Sequence, residues 1–358
     1  MPVNVDAGEL PVTLLFNLDP AWTPPEREEA QSVCRQLREA LATIGHPTTI
    51  AYVQDDRLEE LLETHDPSSG IVFNWCESIP GVRHSEGLVA RILESQGFVF
   101  TGSDAAALEF SQDKARVKEL LVEQGIPTPP WRVYHRPEHG KWGTFPAIVK
   151  LENEHASEGI TRDAVVTGPD ELVERVRCVI DTYEQPALVE EFIDGREFHV
   201  SLWGNGKIEV LPAAEMDFSL FGDVHDRLCT YDAKFVAGSV HYEGIKTLLP
   251  APLAADELRL MAEVCCAAYS AVGCRDYGRV DLRLRNGQPY VLDVNPNADI
   301  AADTSFACAA EVCGYSYGQL CSRIVSLAAR RHPVWGDLER TSCSDVSREA
   351  HRRASLVR

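Results

Sequence analysis

Residues 279–300, RVDLRLRNGQPYVLDVNPNADI, constrain the fold more than any other stretch of this chain. Two alternating segments flank Asn286-Gly287, a dipeptide that tolerates the positive φ angles of a tight hairpin turn. Side chains of a strand alternate faces. On the first strand Val280, Leu282 and Leu284 share one face, and Arg279, Asp281 and Arg283 the other. On the second, Tyr290, Leu292 and Val294 share a face, and Val291, Asp293 and Asn295 the other. A plain two-residue turn pairs Asp281 with Leu292 and sends the two carboxylates to opposite faces, because a one-residue slip inverts every side chain. A three-residue loop over 286–288, or an equivalent bulge, sets Asp281 opposite Asp293 and leaves one apolar face of Val280, Leu282 and Leu284 against Tyr290, Leu292 and Val294. That second register is expected. It puts Asp281, Asp293 and Asn295 on one surface beside Arg279. Oxygen donors of this kind suit Mg²⁺, which is held by one or two carboxylates plus substrate phosphates. A solvated polar face fits the same alternation.

Upstream, strands and helices alternate. Val12–Asn17 is an apolar strand, and a helical period covers 25–44 until Gly45. Ile71–Trp75 is a second strand. Ser85 is expected to cap a helix with Leu88, Val89, Ile92 and Leu93 on one face, and 98–101 to form a third strand. This order predicts a parallel sheet under helices. Ser111 is expected to open another helix ending at Gly125, after which Pro127, Pro129 and Pro130 mark a linker. Strands at Ala147–Leu151, 187–192 and 197–202, with a helix over 169–181, read as a smaller α+β unit. A helix over 254–272 carries Leu258, Met261, Cys265, Ala268 and Val272 on one face, and a last helix covers 317–330. A length of 358 residues exceeds one simple core, so several domains are expected.

The formal charge of −21 repels phosphate backbones and argues against nucleic acid as a partner, without forbidding a local basic pocket. No apolar run reaches the ~18 residues of a membrane span, and MPVNVDAGELPVTLLF lacks the basic segment of a signal peptide. Eleven cysteines without a CxxC pair read as reduced, mostly buried thiols of a cytoplasmic protein; Cys76 and Cys229 sit in loop-like contexts where a thiol role is open.

Lys150 ends the apolar run Ala147–Val149, and Glu154 to Gly159, with Ser157, follow as a loop able to cover phosphates, although no GxxxxGK[ST] occurs. Val189-Glu190-Glu191-Phe192-Ile193, then Gly195-Arg196-Glu197, can offer backbone amides and a carboxylate to an adenine and a ribose. Taken in order and spacing, FTGSDAAALEFSQDKARVKELL, FPAIVK, LVEEFIDGREFHV, TYDAKF, GCRDYGRVDLRL and YVLDVNPNADI resemble the D-alanine–D-alanine ligase branch of the ATP-grasp superfamily, over about residues 71–329. The resemblance implies an α/β fold with an α+β lid: an N-terminal substrate domain (1–108), a central ATP lid (109–195), a C-terminal catalytic domain (196–332) and a polar tail (333–358). It implies that Lys114 and Lys150 contact the nucleotide phosphates and that Ser157 belongs to the loop over them. Glu190 would accept from the adenine amino group, Glu191, Phe192 and Ile193 would line the purine, and Glu197 would hold the ribose. Lys234 would reach the γ-phosphate, Asp281, Asp293 and Asn295 would bind two Mg²⁺ ions or Mn²⁺ in their place, and Arg279 would stabilise the tetrahedral intermediate. The implied chemistry is phosphorylation of a carboxylate by ATP, then attack of an amine on the acyl phosphate, in a cytoplasmic homodimer.

The departures fall on the amino-acid sites. The family's Gly-Gly-x-Ser-x-Glu is replaced by FNLDPAWTPPERE, where Asp19 or Glu26 can substitute. FNALHG becomes Phe73 to Glu77, the paired serines become Ala156 and Ser157, and the tyrosine after the loop lysine becomes Phe235, so the Glu/Ser/Tyr trio is absent. Thr-x-Pro-Gly-Met-Thr becomes Pro296 to Ile300, followed by Asp303 and Thr304. Glu77, Asp299, Asp303 and Thr304 are therefore the candidate substrate residues. Asp299 or Asp303 either binds a cationic amine or caps the next helix. The expected activity is an ATP-dependent carboxylate–amine ligase on an amino-acid-like substrate in a specialised biosynthetic pathway. A true D-alanine–D-alanine ligase, a catalytically lapsed ATP-binding regulator and a kinase-like enzyme are the alternatives.

Overall fold

Three sheets carry the fold in the computed structural model, which describes residues 10–153, 159–230, 233, 236 and 238–336. The first segment runs β1 (Val12–Asn17), α1 (Pro24–Ile44), β2 (Thr48–Val53), α2 (Leu58–Glu63), β3 (Ile71–Trp75), α3 (Glu86–Ser95), α4 (Ala105–Gln112) and α5 (Lys114–Glu123). Its sheet is parallel, in the order β2-β1-β3. Every residue of β3 is buried, as in a strand covered on both faces. The third strand expected at 98–101 is instead a single parallel bridge from Phe100 to Val72, bracketed by the left-handed Gly97 and Gly102. Strand β2 was not anticipated; it is a half-exposed edge that begins with two threonines.

Ser85 stands before α3, but its hydroxyl donates to Val82 O and accepts from Ile79 N rather than from the helix. Leu88 lies outside the buried face formed by Val89, Ile92 and Leu93. Ser111 opens no helix. Asp104 caps α4 through Ala107 N (2.9 Å) and Asp113 caps α5 through Arg116 N (3.0 Å), so Ser111 falls in the last turn of α4.

The second segment comprises β4 (Trp131–Tyr134), β5 (Ala147–Leu151), β6 (Val165–Val166), α6 (Pro169–Tyr183) and β7 (Ala187–Glu191). These strands pair antiparallel in the order β4-β7-β5-β6, with Leu172, Val176 and Val179 of α6 in the core against them.

The third holds β8 (Arg196–Trp203), β9 (Glu209–Val210), β10 (Ala214–Asp217), α7 (Val240–Gly244), β11 (Lys246–Leu248), α8 (Ala255–Val272), β12 (Tyr277–Arg285), β13 (Gln288–Pro296), α9 (Ser305–Val312) and α10 (Tyr317–Ala329). The sheet order is β11-β10-β8-β12-β13, with β9 beside β8. Met261, Cys265, Ala268 and Val272 of α8 pack against Val280, Leu282, Val291 and Val294, while Leu258 is exposed and leaves the expected face. Leu320, Ile324 and Val325 of α10 share one core with Leu14, Leu37, Leu41 and Phe73, so α10 covers the first sheet. Residues 337–358, the greater part of the expected tail, lie outside the described residues. Among the described residues no helix is long and apolar enough to cross a membrane.

Candidate active site

The hairpin turn has two residues, not three. Arg285 pairs with Gln288, and Asn286 and Gly287 take φ of 54° and 76°. A bulge then restores the register: Leu282 lies opposite Val291, Leu292 is the extra residue, and Asp281 lies opposite Asp293. The apolar face is corrected accordingly. Val280, Leu282 and Leu284 oppose Val294, Val291 and Pro289, and Tyr290 falls opposite Arg283.

Strand β8 lies on the other side of β12, so three polar rows cross adjacent strands on one face: Ser201–Arg279–Asn295, His199–Asp281–Asp293 and Glu197–Arg283–Tyr290. Glu197, Arg279, Asp281, Asp293 and Asn295 are thus together. Arg279 grips Asp281 through Nε to Oδ1 (2.6 Å) and Nη2 to Oδ2 (2.9 Å), a largely buried bidentate pair. Asn295 Nδ2 donates to Asp281 Oδ2 at 3.1 Å. Burial opposes the charge of Arg279, but Asp281, Asp293 and Asp299 outweigh it and raise its pKa, which fixes a cation at this point.

The second sheet supplies the lysines. Ile148 pairs with Glu190 and Lys150 with Leu188, which puts Lys150 and Glu190 on one face. Lys150 Nζ donates to Glu190 Oε2 (3.2 Å), and Lys118 Nζ stands 3.3 Å from Oε1. Lys118 also donates to Thr128 Oγ1 at 2.9 Å, and Thr128 to Val291 O, which ties the lysines to β13. Burial lowers the pKa of Lys118 despite Glu190. Burial also opposes the charge of Lys150, but Glu190, Asp293 and Glu197 outweigh it and raise its pKa. Two buried lysines thus stand together in an acidic chain, where they can meet a polyphosphate. Glu190 Oε1 is buried without an aligned hydrogen bond. Lys118 was missed in the sequence although it lies one helical turn beyond Lys114, which is itself buried. Ser157 and Lys234 lie outside the described residues.

The segment after β7 is held by Arg283, also missed although it shares a face with Asp281. Arg283 is buried, donates from Nε to Glu197 Oε2 (2.8 Å) and from Nη1 to Ile193 O (2.9 Å), and lies 4.3 Å from the Phe192 ring. The amides of Glu191 and Phe192, expected at the purine, donate to Pro130 O and Pro146 O, and the Glu191 carboxylate accepts from Arg285 (2.6 Å). At Gly195 an added Cβ would stand 2.3 Å from Leu284 O, so only glycine lets this segment lie against β12.

A separate acid cluster brings Glu77, Glu86 and Asp299 within one another's field. Burial, then the charge of Glu77, pushes Glu86 up to about 8, against a hydrogen bond from Asn297. Burial, then Asp299, raises Glu77, which keeps an exposed surface. Asn297 also accepts from Ser103 N (2.7 Å), and Gly102, at φ 91°, is obligatory there because a Cβ would meet Asn297 Oδ1 at 2.1 Å. Neither acid after β13 caps α9. Thr304 does so through Ala307 N, while Asp299 accepts locally from Ala301 N. Asp19 and Glu26 are likewise used locally, on Ala21 N and on Thr23. Cys76 is pushed up to about 12 by burial and stays a thiol. Glu86 passes in the sequence for an ordinary acid in a first helical turn.

The pH response of Glu86 is testable. With a folded pKa above the ordinary 4.5, the native state binds the extra proton between those values, so this group costs stability as pH rises through the window. Glu86→Gln is expected to lose less Tm than the parent between about pH 5 and about pH 9. Equal losses in calorimetry would refute the shift.

Known proteins compare as follows. The family model described as D-ala D-ala ligase C-terminus matches residues 120–326. Uncharacterized protein y4sG of Sinorhizobium fredii is 34% identical over 319 residues, covering 86% of this chain and 91% of that protein. The D-alanine–D-alanine ligase of Gloeobacter violaceus is 31% identical over 309 residues, covering 84% and 95%. A crystal structure of D-alanine–D-alanine ligase from Bacillus anthracis complexed with ATP matches with a TM-score of 0.68 at 20% identity, covering 90% of this chain and 98% of that one, a likeness of fold.

Proposed function

The chain belongs to the D-alanine–D-alanine ligase family, with the ATP-grasp fold and a ligase's C–N bond-forming activity, and from that premise we propose that it couples an amino-acid-like carboxylate to a cationic amine through an acyl phosphate. The observation that carries this reading is the face on which Asp281 opposes Asp293 beside the clamped Arg279. A catalytically lapsed binding module has no use for an oxyanion clamp.

In this reading ATP lies between the two antiparallel sheets. Lys114, Lys118 and Lys150 meet its phosphates, with Ser157 and Lys234 completing the set. Glu190 Oε1, ion-paired to Lys118 but without an aligned hydrogen bond, can accept from the adenine amino group. Phe192 and Ile193 line the purine beside Glu191, and Glu197 takes the ribose. Asp281, Asp293 and the amide oxygen of Asn295 form an oxygen-only donor set that fits two Mg²⁺ ions, and Mn²⁺ equally. The metal would neutralise charge on the phosphates. The substrate carboxylate oxygen attacks the γ-phosphorus and ADP leaves. The amine nitrogen, once its ammonium proton has gone to solvent, attacks the acyl carbon, Arg279 meets the developing oxyanion, and phosphate departs with the C–O bonding pair as the nitrogen gives up its second proton. The three sheets fit the division 1–108, 109–195 and 196–332, except that Val117, Leu121 and Ile126 pack in the third sheet's core and α10 in the first. A cytoplasmic homodimer joined through the first segment completes the proposal.

Glu77, Glu86 and Asp299 favour a cationic amine over the zwitterionic D-alanine, with Asp303 and Thr304 beside them in sequence. Phosphate release from Mg·ATP, measured with panels of carboxylates and amines, is expected only when one of each is present. Amine-independent release would favour a regulator or a kinase-like enzyme. Asp299→Asn is expected to raise KM for the preferred amine about tenfold, the effect of roughly 1.4 kcal/mol, with kcat retained. An unchanged KM for every amine ends the assignment of Asp299.

A further inference from the structure

The row His199–Asp281–Asp293 contains a residue that the ligase chemistry does not use. His199 lies on β8 between Ala214 of β10 and Asp281 of β12, two residues from Glu197 on the same face. Its Nε2 is 3.9 Å from Glu197 Oε1. Cys229, partly buried against Ala214, Met216 and Phe218, brings a thiol to the same point. One ligand atom from each of Glu197, His199 and Cys229 lies within 4.8 Å of the others. Ligand atoms around a tetrahedral Zn²⁺ stand about 3.4–3.6 Å apart, given its Zn–N and Zn–S bond lengths. The 3.9 Å pair is about half an ångström wider than that spacing.

We propose that Glu197, His199 and Cys229 form a site for a borderline-soft divalent cation, Zn²⁺ by chemistry, and that its occupation excludes nucleotide. Imidazole and thiolate select Zn²⁺ over Mg²⁺, which prefers oxygen, so this site is chemically distinct from Asp281, Asp293 and Asn295 one strand away. Three protein ligands leave a fourth position for water. Arg283 donates to Glu197 Oε2 and leaves Oε1 turned toward His199, the outer-shell hydrogen bond that orients a ligating carboxylate. Asp281 and Asp293 in the adjoining row add a field attractive to cations. Exclusion of nucleotide rests on the reading that Glu197 holds the ribose.

The test uses full-length protein stripped of metal. Co²⁺ is expected to give a thiolate-to-metal charge-transfer band, and Zn²⁺ to displace it at one ion per chain. Cys229→Ser should abolish the band, and His199→Asn should weaken Zn²⁺ binding about tenfold or more, since a direct ligand is worth no less than its outer-shell partner. Thermal melting without metal checks that both variants fold. Zn²⁺ should inhibit Mg·ATP turnover, less so as ATP is raised. A band that survives Cys229→Ser belongs to another thiol, such as the exposed Cys178 or Cys313, and overturns the site. Unchanged Zn²⁺ affinity in His199→Asn overturns it too. Binding that both variants weaken but ATP does not oppose supports the site and removes Glu197 from the nucleotide's contacts.

Discussion

Asp293→Ala is expected to reduce Mg·ATP turnover about a thousandfold or more while leaving the fold intact. A metal contributes several kcal/mol of charge stabilisation to phosphoryl transfer, and each ~1.4 kcal/mol is a factor of ten in rate. The fold survives because Asp293 is only partly buried and stands opposite Asp281, a like-charged pair that costs rather than stabilises. Removing one carboxylate relieves that repulsion but also takes a compensating charge from buried Arg279 and Lys150, so Tm should hold or fall slightly. Asp293→Asn keeps an oxygen donor with less charge and should retain more turnover than alanine. Steady-state kinetics across a Mg²⁺ series beside thermal melting provide the check. Turnover within about twofold of the parent would remove Asp293 from the metal's ligands. A large fall in Tm would turn any lost turnover into a folding effect.

This hairpin was legible because alternation and Asn286-Gly287 act locally. Its bulge was legible only as a condition: the carboxylates could meet only if one residue was absorbed, and nothing in the residues names Leu292 as that one. Contacts between sheets were not legible at all. Lys118, Glu190 and Val291 meet through Thr128 because two sheets pack together, which no periodicity encodes. The acid cluster likewise joins positions 77, 86 and 299, far apart in the sequence. Helix starts failed where several capping residues compete: Ser111 resembles a cap as well as Asp104 and Asp113 do, and packing chose the aspartates. Strand β2 was overlooked because an edge strand with an exposed face carries too few apolar residues to signal itself. Motif order sufficed for the family because each motif is itself a local strand or turn.

Asp276→Ala should destabilise the protein by about 3–5 kcal/mol, the cost of removing one partner from a buried ion pair. Asp276 is fully buried and left-handed at φ 63°. Its carboxylate accepts from Arg331 Nη1 (2.6 Å) and Nη2 (2.7 Å), from Gly102 N (2.9 Å) and from Asn205 Nδ2 (2.8 Å). Arg331 also donates to Phe100 O at 2.7 Å. One side chain thus joins the bridge beside β3, the turn after β8, the start of β12 and the end of α10. Alanine strands the Gly102 amide in the interior, leaves Asn205 Nδ2 with Leu327 O alone, and strains a backbone that favours Gly, Asn or Asp. Asn tolerates the left-handed conformation and keeps an oxygen acceptor, so Asp276→Asn should cost less, about 1–3 kcal/mol. Activity should fall with stability in both, because Gly102 and Ser103 position Asn297 against Glu86. Urea unfolding with an unchanged slope measures the differences. A double-mutant cycle with Arg331→Met should return a coupling of about 1–3 kcal/mol. An alanine variant within about 1 kcal/mol of the parent would show that water replaces the lost carboxylate and that this hub does not hold the segments together.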